Sequence, residues 1–502
     1  MIGAAAASAL RAFSAPSARR FAHALEDVSS AQRATLARVV RACAATGYGR
    51  SLGLVADDSL EGFRAKAPVI DYAAVAPWIA AQRAGEGAAL APGRTRCYEP
   101  TSGSTGAIKL VPYNDAMLRA FRELFAVWAH DLLTNALTPR SGRTFMSVSA
   151  PIPRNDGFAD DREYLGRFVR RLIGRFIVSP PRAEDPGAFR DALACALVAA
   201  GDLEIVSVWN PGYMLNLLDH IETQRERLMP RIAPARRLVL SRDPIAWHDV
   251  WPSLQLLSCW TAAAAAAPAR TLARRFPHAM LQGKGLLATE APITVPLVRA
   301  AGCVPLVDSV FLEFEDDAGN VHLLDEVEPG AEYVVIVTQP GGLLRYRLGD
   351  RVRMSGRYRD APLLQFVGRA DAVSDLVGEK LGDAFVSPAL EKIVRHDTFR
   401  TLLPLLPETG RPRYCLLTDD PNPDLARVLE DALTQAFRYR EARQLAQLDA
   451  VEVIAQPGMR AIVHDAFAAA GMKAGDIKEQ GLVTSLDLAR RVHAYVRQRI
   501  VA

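Results

Sequence analysis

The stretch Pro100-Thr101-Ser102-Gly103-Ser104-Thr105-Gly106-Ala107-Ile108-Lys109 decides how this chain is read. Between Thr101 and Gly106 it carries four hydroxyl side chains and two glycines, and it closes on a lysine. Glycine allows positive φ and a close approach of backbone to ligand. Successive N–H groups in such a turn form an anion-binding nest, to which hydroxyls add donors. The apolar-periodic run from Leu118 to Leu133 predicts a helix just downstream. A Gly/Ser/Thr loop leading into a helix suits a phosphate. The stretch does not fit the P-loop pattern, because no lysine and hydroxyl directly follow Gly106. Taken alone, such a stretch is more often only a turn.

Its company gives it weight. Gly285-Leu286-Leu287-Ala288-Thr289-Glu290, Tyr346-Arg347-Leu348-Gly349-Asp350 and Gly368-Arg369-Ala370-Asp371 follow in that order. Together the four strings resemble the ATP-handling set of the adenylate-forming superfamily. Their detail is most similar to one branch, the Gretchen Hagen family of acyl-acid amido synthetases. Gln32 with Thr46-Gly47-Tyr48-Gly49, and the run Phe63-Arg64-Ala65-Lys66-Ala67-Pro68-Val69-Ile70-Asp71-Tyr72, add to the likeness and read as scaffold. The resemblance covers nearly the whole chain.

That resemblance implies an α/β, two-domain adenylate-forming fold. Residues 1–367 would form a large N-terminal domain with packed sheets and a β-rich portion. Residues 368–502 would form a small mobile C-terminal α/β domain, with the hinge at Gly368–Asp371. It implies a ligase that adenylates a carboxylic acid, releasing pyrophosphate, and passes the acyl group to an amine, an amino acid by expectation. ATP and Mg²⁺ would be required. Ser102, Gly103, Ser104, Thr105 and Gly106 would wrap the β- and γ-phosphates, and Thr289 would bond the α-phosphate. Glu290 would hold Mg²⁺, a hard cation that takes one or two carboxylates. Asp350 would accept the ribose hydroxyls, and Arg369 would contact the nucleotide near the hinge. Lysine is rare beyond residue 400, where only Lys473 and Lys478 occur. Lys478, in Gly475-Asp476-Ile477-Lys478, matches the late lysine that reaches the acid and the α-phosphate in the first half-reaction.

Each residue also has an ordinary reading. An isolated Thr-Glu usually caps a helix, a Gly-Asp after a strand is usually a turn, and a lone arginine or lysine is usually solvated. The sequence departs from its relatives in four places. The run Ala262–Ala267 replaces a glycine- and serine-bearing segment beside the adenine pocket. Leu286 stands where an aromatic ring often stacks on adenine, and Ala291 replaces a common glycine. Glu479-Gln480 follows Lys478 where proline and arginine are usual. Two alternatives therefore stay open: transfer of the acyl group to a thiol such as coenzyme A, and a nucleotide-binding protein that has lost catalysis.

Composition bounds the rest. The 502 residues are 50% hydrophobic and 23% charged, as in an ordinary globular protein with room for two or three domains. The net charge is only +4 and no basic run occurs, so nucleic acid is a poor partner. No apolar run reaches the ~18 residues that span a bilayer, so no membrane partner is expected. Met1–Arg20 lacks a basic segment before its apolar part and reads as an N-terminal helix. Six scattered cysteines without metal spacing suggest small buried side chains in a reducing, cytoplasmic setting. Arginine in place of lysine, with abundant alanine, suggests a GC-rich bacterial genome.

Phe121, Phe125 and Trp128 share one helix face, either core or acyl-pocket wall. Strands are expected near 206–208, 254–260, 304–314, 333–338, 343–347, 351–354, 364–367 and 450–454. A cap is expected at Ser29–Gln32, and helices near 213–218, 386–395, 423–446 and 486–497. Residues 145–165 read as a loop or insertion.

Overall fold

The computed structural model of the chain describes residues 2–100, 109–146, 171, 174–179, 186–370, 373–377, 379–407, 411–444, 447–472 and 477–501. It opens on α1 (Ile2–Ala24) and α2 (Val28–Cys43). Asp27 caps α2 by accepting from the Ser30 amide at 2.9 Å, so the cap falls before the serines expected to provide it. Gln32 is thereby inside α2 and buried. Its amide donates to the carbonyls of Val307 and Val310, both at 2.8 Å, and its oxygen accepts from Leu312 N at 2.8 Å. That scaffold residue ties the first helices to the middle of the chain.

The opening stretch lies between two antiparallel strands, β1 (Thr95–Pro100) and β2 (Leu110–Asn114). Its Ser102, Gly103, Ser104, Thr105 and Gly106 lie outside the described residues. Asn114 ends β2 and caps α3 (Asp115–Asn135), accepting from Met117 N at 2.8 Å while its amide donates to the carbonyls of Pro92 and Pro340. The expected helix is thus real and longer than its periodic core. Phe121 is buried in the main core, and Phe125 and Trp128 are partly buried against it.

Four parallel strands follow in sequence order: β3 (Thr144–Met146), β4 (Ile205–Ser207), β5 (Leu256–Cys259) and β6 (Met280–Gly283). Of these, β5 is buried throughout, whereas β3, β4 and β6 keep partly exposed positions. After β4, Asn210 caps α4 (Pro211–Thr223), with Pro211 at a helix start that needs no amide. The covering core holds Trp247, Trp251 and Phe276. Of the expected insertion, residues 147–165 lie outside the described set.

The β-rich portion comprises a hairpin, β7 (Thr294–Leu297) with β8 (Gly302–Pro305), and five antiparallel strands. These are β9 (Phe311–Glu315), β10 (Val321–Leu323), β11 (Glu332–Thr338), β12 (Tyr346–Tyr358) and β13 (Ala361–Arg369), in the order β10-β9-β11-β12-β13. The single strand expected over 304–314 is broken where the Val307 and Val310 carbonyls turn to Gln32. The strand expected from Leu343 starts only at Tyr346. Arg345 is the reason: it adopts φ 48°, and its buried guanidinium meets Glu313 at 2.9 and 3.0 Å and the Ala67 carbonyl at 2.9 Å. Glu313 is fully buried and also faces Arg64 at 3.1 Å.

Beyond residue 370 lie β14 (Val373–Ser374) with β15 (Leu381–Gly382), a helix over Asp383–Ile393, and a sheet of β16 (Arg400–Leu405), β17 (Arg413–Thr418) and β18 (Glu452–Ala455). The expected helix over 423–446 is two, Leu425–Leu433 and Phe437–Gln444. Helices α5 (Met459–Ala469) and α6 (Leu486–Val501) pack on this sheet. The buried residues of the two largest clusters all precede residue 365, and two further clusters draw theirs from Leu381 onward. No described helix is long and apolar enough to cross a membrane. Cys43, Cys259 and Cys415 are buried as expected, whereas Cys97, Cys195 and Cys303 are partly exposed.

Breaking a buried ion pair from one side leaves a charge stranded. Arg345→Met should therefore lower stability by about 3–5 kcal/mol, read as a fall in urea midpoint. A loss of under ~1 kcal/mol would show that Glu313 is satisfied without it.

Candidate active site

Two groups of side chains converge from the expected motifs. The first is built on a tight hairpin. Ala288 and Ala291 exchange both backbone hydrogen bonds, at 3.1 and 3.2 Å, and Leu287 bridges to Pro292. Thr289 and Glu290 are left at the tip, so the pair is not a helix cap. The hairpin base is clamped from below. Thr294 Oγ1 accepts from Leu286 N at 2.7 Å, and the Leu286 carbonyl accepts from the Ile293 and Thr294 amides. Gly285 has φ 71°, and a side chain there would meet Thr294 Oγ1 at 2.6 Å. Tyr113 on β2 donates to the Thr289 carbonyl at 2.7 Å. The strand beside the glycine-rich stretch thus holds the tip directly. Sequence reading missed Tyr113, because nothing in its local pattern marks a contact 176 residues away.

Asp350 and Arg369 meet because β12 and β13 pair in register at those two positions. Arg369 Nη1 lies 3.4 Å from Asp350 Oδ1, and its Nη2 donates to the Leu348 carbonyl at 3.3 Å. Gly349, at φ 80°, supplies the bend just before Asp350. Asp350 is buried and Arg369 is half-exposed.

Glu290 feels this pair. Burial pushes its carboxyl above the ordinary range, its own backbone opposes the push, and the Asp350 carboxylate adds to it. Arg369 and Lys109, the lysine that closes the opening stretch, pull the other way. Lys109 itself lies over the Tyr72 ring at 5.7 Å. Thr289, Glu290, Asp350, Arg369 and Lys109 therefore form one neighbourhood, with two carboxylates and two cations. Such oxygen donors suit a hard divalent cation, and the cations suit phosphate.

The second group gathers at the carboxyl ends of the parallel strands, where open α/β sheets bind ligands. Lys284, just past β6, is buried and bonds Ser207 Oγ at 2.8 Å. Its ammonium lies 4.9 Å from the Trp209 ring and 5.5 Å from the Trp128 ring. Trp128 bonds Gln282 at 2.8 Å, so this end of the α3 face reaches the strand ends. Trp209 and Trp260 are 5.9 Å apart, and the Lys478 ammonium lies 5.1 Å from the Trp260 ring. The structure thus sets Lys478 at these strand ends. Lys284, Trp209 and Trp260 escaped sequence reading as a group because each follows a different strand.

The departures also find places. Leu286 is largely buried in the main core. In the alanine run, Ala263 adopts φ 50°, the conformation that glycine takes freely. A cysteine, glutamate and histidine cluster, Cys415, Glu452 and His493, lies elsewhere. Glu452 already pairs with Arg413 at 3.1 Å and with Arg497, so two cations occupy the place of a metal.

The chain matches two family models, the GH3 family N-terminal domain over residues 17–237 and the GH3 family central domain over residues 303–369. It is 24% identical over 452 residues to the probable indole-3-acetic acid-amido synthetase GH3.12 of Oryza sativa subsp. japonica, a match over 72% of each chain. It is 28% identical over 198 residues to the GH3 domain-containing protein of Homo sapiens, which is 38% of this chain and 35% of that protein's length. Its fold is similar to that of AtGH3.15 acyl acid amido synthetase in complex with 2,4-DB, with a TM-score of 0.79, 17% identity and 96% of each chain covered. It is similar, less closely, to 2-hydroxyisobutyryl-CoA ligase in the postadenylation state, with a TM-score of 0.56, 13% identity and coverage of 94% of this chain and 91% of that one.

Two measurements check the local physics. A carboxyl whose pKa is raised on folding binds more protons folded than unfolded above pH 4.5, so its contribution to stability falls as pH rises. Glu290→Gln should remove that fall: the variant should gain stability over wild type between pH 4.5 and 7, seen as diverging urea midpoints. A constant offset across that range would contradict a raised carboxyl at Glu290. Ala263→Gly should add about 1 kcal/mol by relieving the positive φ; a lower unfolding midpoint would refute that backbone path.

Proposed function

Because the chain belongs to the GH3 family, we propose that it activates a carboxylic acid with ATP to an acyl-adenylate and pyrophosphate, then passes the acyl group to the amine of an amino acid. The observation that carries this reading is the hairpin tip of Thr289 and Glu290, held in the field of Asp350, Arg369 and Lys109. A decayed site has no reason to keep both Glu290 and Asp350.

In this reading Glu290 holds Mg²⁺, whose role is to neutralise the charge of the phosphates. Thr289 and the stretch Ser102–Gly106 bind phosphate oxygens. Asp350 accepts from the ribose hydroxyls, which its carboxylate can do with two oxygens. Arg369 steadies Asp350 and reaches the nucleotide. Lys478 offers its ammonium to the acid and the α-phosphate as negative charge builds there. Attack of the substrate carboxylate on the α-phosphorus expels pyrophosphate. Attack of the amine on the acyl carbon then expels AMP, and the amine proton leaves to solvent or base.

The division into residues 1–367 and 368–502 belongs to the same proposal. It is supported by apolar clusters whose buried residues fall on either side of residues 365–380. β13 itself runs on to Arg369, two residues past that boundary. Transfer to a thiol is the second reading, favoured only by the fold likeness to a coenzyme A ligase. The relatives named above come from rice and human, and they lend no support to the bacterial source suggested by composition.

Pyrophosphate release should require ATP, Mg²⁺ and an acid from a panel of carboxylic acids. It should fall by about 10²-fold or more in Glu290→Ala. Mass spectrometry should find an amide when mixed amino acids are present. A thioester with coenzyme A and no amide would move the reading to the thiol ligase; no release with any acid would refute adenylation.

A further inference from the structure

The residues on either side of Lys478 are fastened to the start of α4. Asn210 is buried, and its oxygen accepts from Gly212 N at 2.7 Å, which fixes the side chain. Its amide then donates to the carbonyl of Ile477. On the other side, the Glu479 carboxylate is almost fully buried. It forms an ion pair with Arg460 at 3.2 Å and a hydrogen bond with His464 at 3.1 Å, both on α5. Glu479 also packs on Gly212 so closely that a Cβ there would lie 1.9 Å from its Oε1. The carboxylate faces the start of a 13-residue helix, where negative charge is favoured.

We propose that Asn210, Gly212 and Glu479 form a seat that positions the Lys478 ammonium at the ends of β4 and β5 for acid activation. The proposal rests on the adenylation reading and gives it a mechanism of placement. A lysine carries four rotatable bonds on a flexible stem. Pinning the backbone at Ile477 and the side chain at Glu479 fixes where that stem starts. The Trp260 ring, itself packed on Trp209, then bounds the stem's end. The seat also explains why an acid follows the lysine. Glu479, a departure from the usual proline and arginine, is the residue that anchors this segment to α4 and α5. Two further ion pairs join the same bodies, Arg190 with Asp465 at 3.0 Å and Arg274 with Asp397 at 2.6 Å. Both are exposed on at least one side and add little.

The seat predicts effects confined to the step that uses Lys478. The test is acid-dependent exchange of labelled pyrophosphate into ATP, measured for wild type, Lys478→Ala, Glu479→Ala, Gly212→Ala and the double variant Glu479→Ala/Lys478→Ala. Glu479→Ala and Gly212→Ala should each lower exchange kcat by about 10- to 100-fold, the scale of a ~1 Å misplacement. The KM for ATP should stay within about twofold, since uniform binding is untouched. The double variant should be no slower than Lys478→Ala alone, because both act through one group. Glu479→Gln keeps the shape and loses only the charge; it should fall between wild type and Glu479→Ala, and it stands in if Gly212→Ala fails to fold. Losses that multiply in the double variant would overturn the seat, as would unchanged exchange in both single variants while Lys478→Ala is impaired. Exchange unaffected by Lys478→Ala would overturn the role of the lysine. Absence of exchange in the wild type would overturn the adenylation reading beneath it.

Discussion

Two carboxylates held near one another in a largely dry site repel, and burial makes each costlier to ionise. Glu290 is in that position, beside the Asp350 carboxylate, and Arg369 and Lys109 act to offset it. Arg369 reaches Asp350 because β12 and β13 are paired in one register, and a slip of one residue would send the guanidinium to the opposite face. Lys109 stands at the end of the glycine-rich stretch, and Tyr113 on the strand that follows fixes the hairpin tip. Carboxylates set against cations in this way suit a divalent cation and phosphate by their chemistry. The arrangement is a poor one for stability alone.

The scaffold supports this from a distance. The buried pair of Glu313 and Arg345 ties β9 to the turn that feeds β12, and so fixes where Asp350 begins its approach. Gln32 fastens α2 to the segment before β9. On the other side, the parallel sheet delivers Ser207, Trp209, Trp260 and Lys284 to one end. That aromatic and cationic group is linked to Glu290 through the short run from Lys284 to the hairpin. The hairpin tip and the strand ends are therefore joined along a single segment.

Much of this was legible in the sequence because the motif strings carry their chemistry locally. Thr289-Glu290, Gly349-Asp350 and Gly368-Arg369 are each short, and Gly349 marks the bend before Asp350. The helix from Asp115 and the strands β5, β11 and β18 follow from simple periodicity. What sequence reading missed depends on contacts between distant segments. Arg345 interrupts an otherwise strand-like run only because its guanidinium is drawn to Glu313 and the Ala67 carbonyl. The cap of α2 falls at Asp27, which accepts from the Ser30 amide and leaves both serines inside the helix. Glu479 looked like a flaw beside Lys478, since its partners Arg460, His464 and Gly212 lie on other elements.

The most direct test of the central claim is calorimetric titration of ATP into wild type and Glu290→Gln, each with and without Mg²⁺. The account predicts that Mg²⁺ strengthens nucleotide binding in the wild type, and that Glu290→Gln loses this gain while its Mg²⁺-free binding is unchanged. Equal strengthening by Mg²⁺ in both proteins, or no binding of ATP to either, would contradict it.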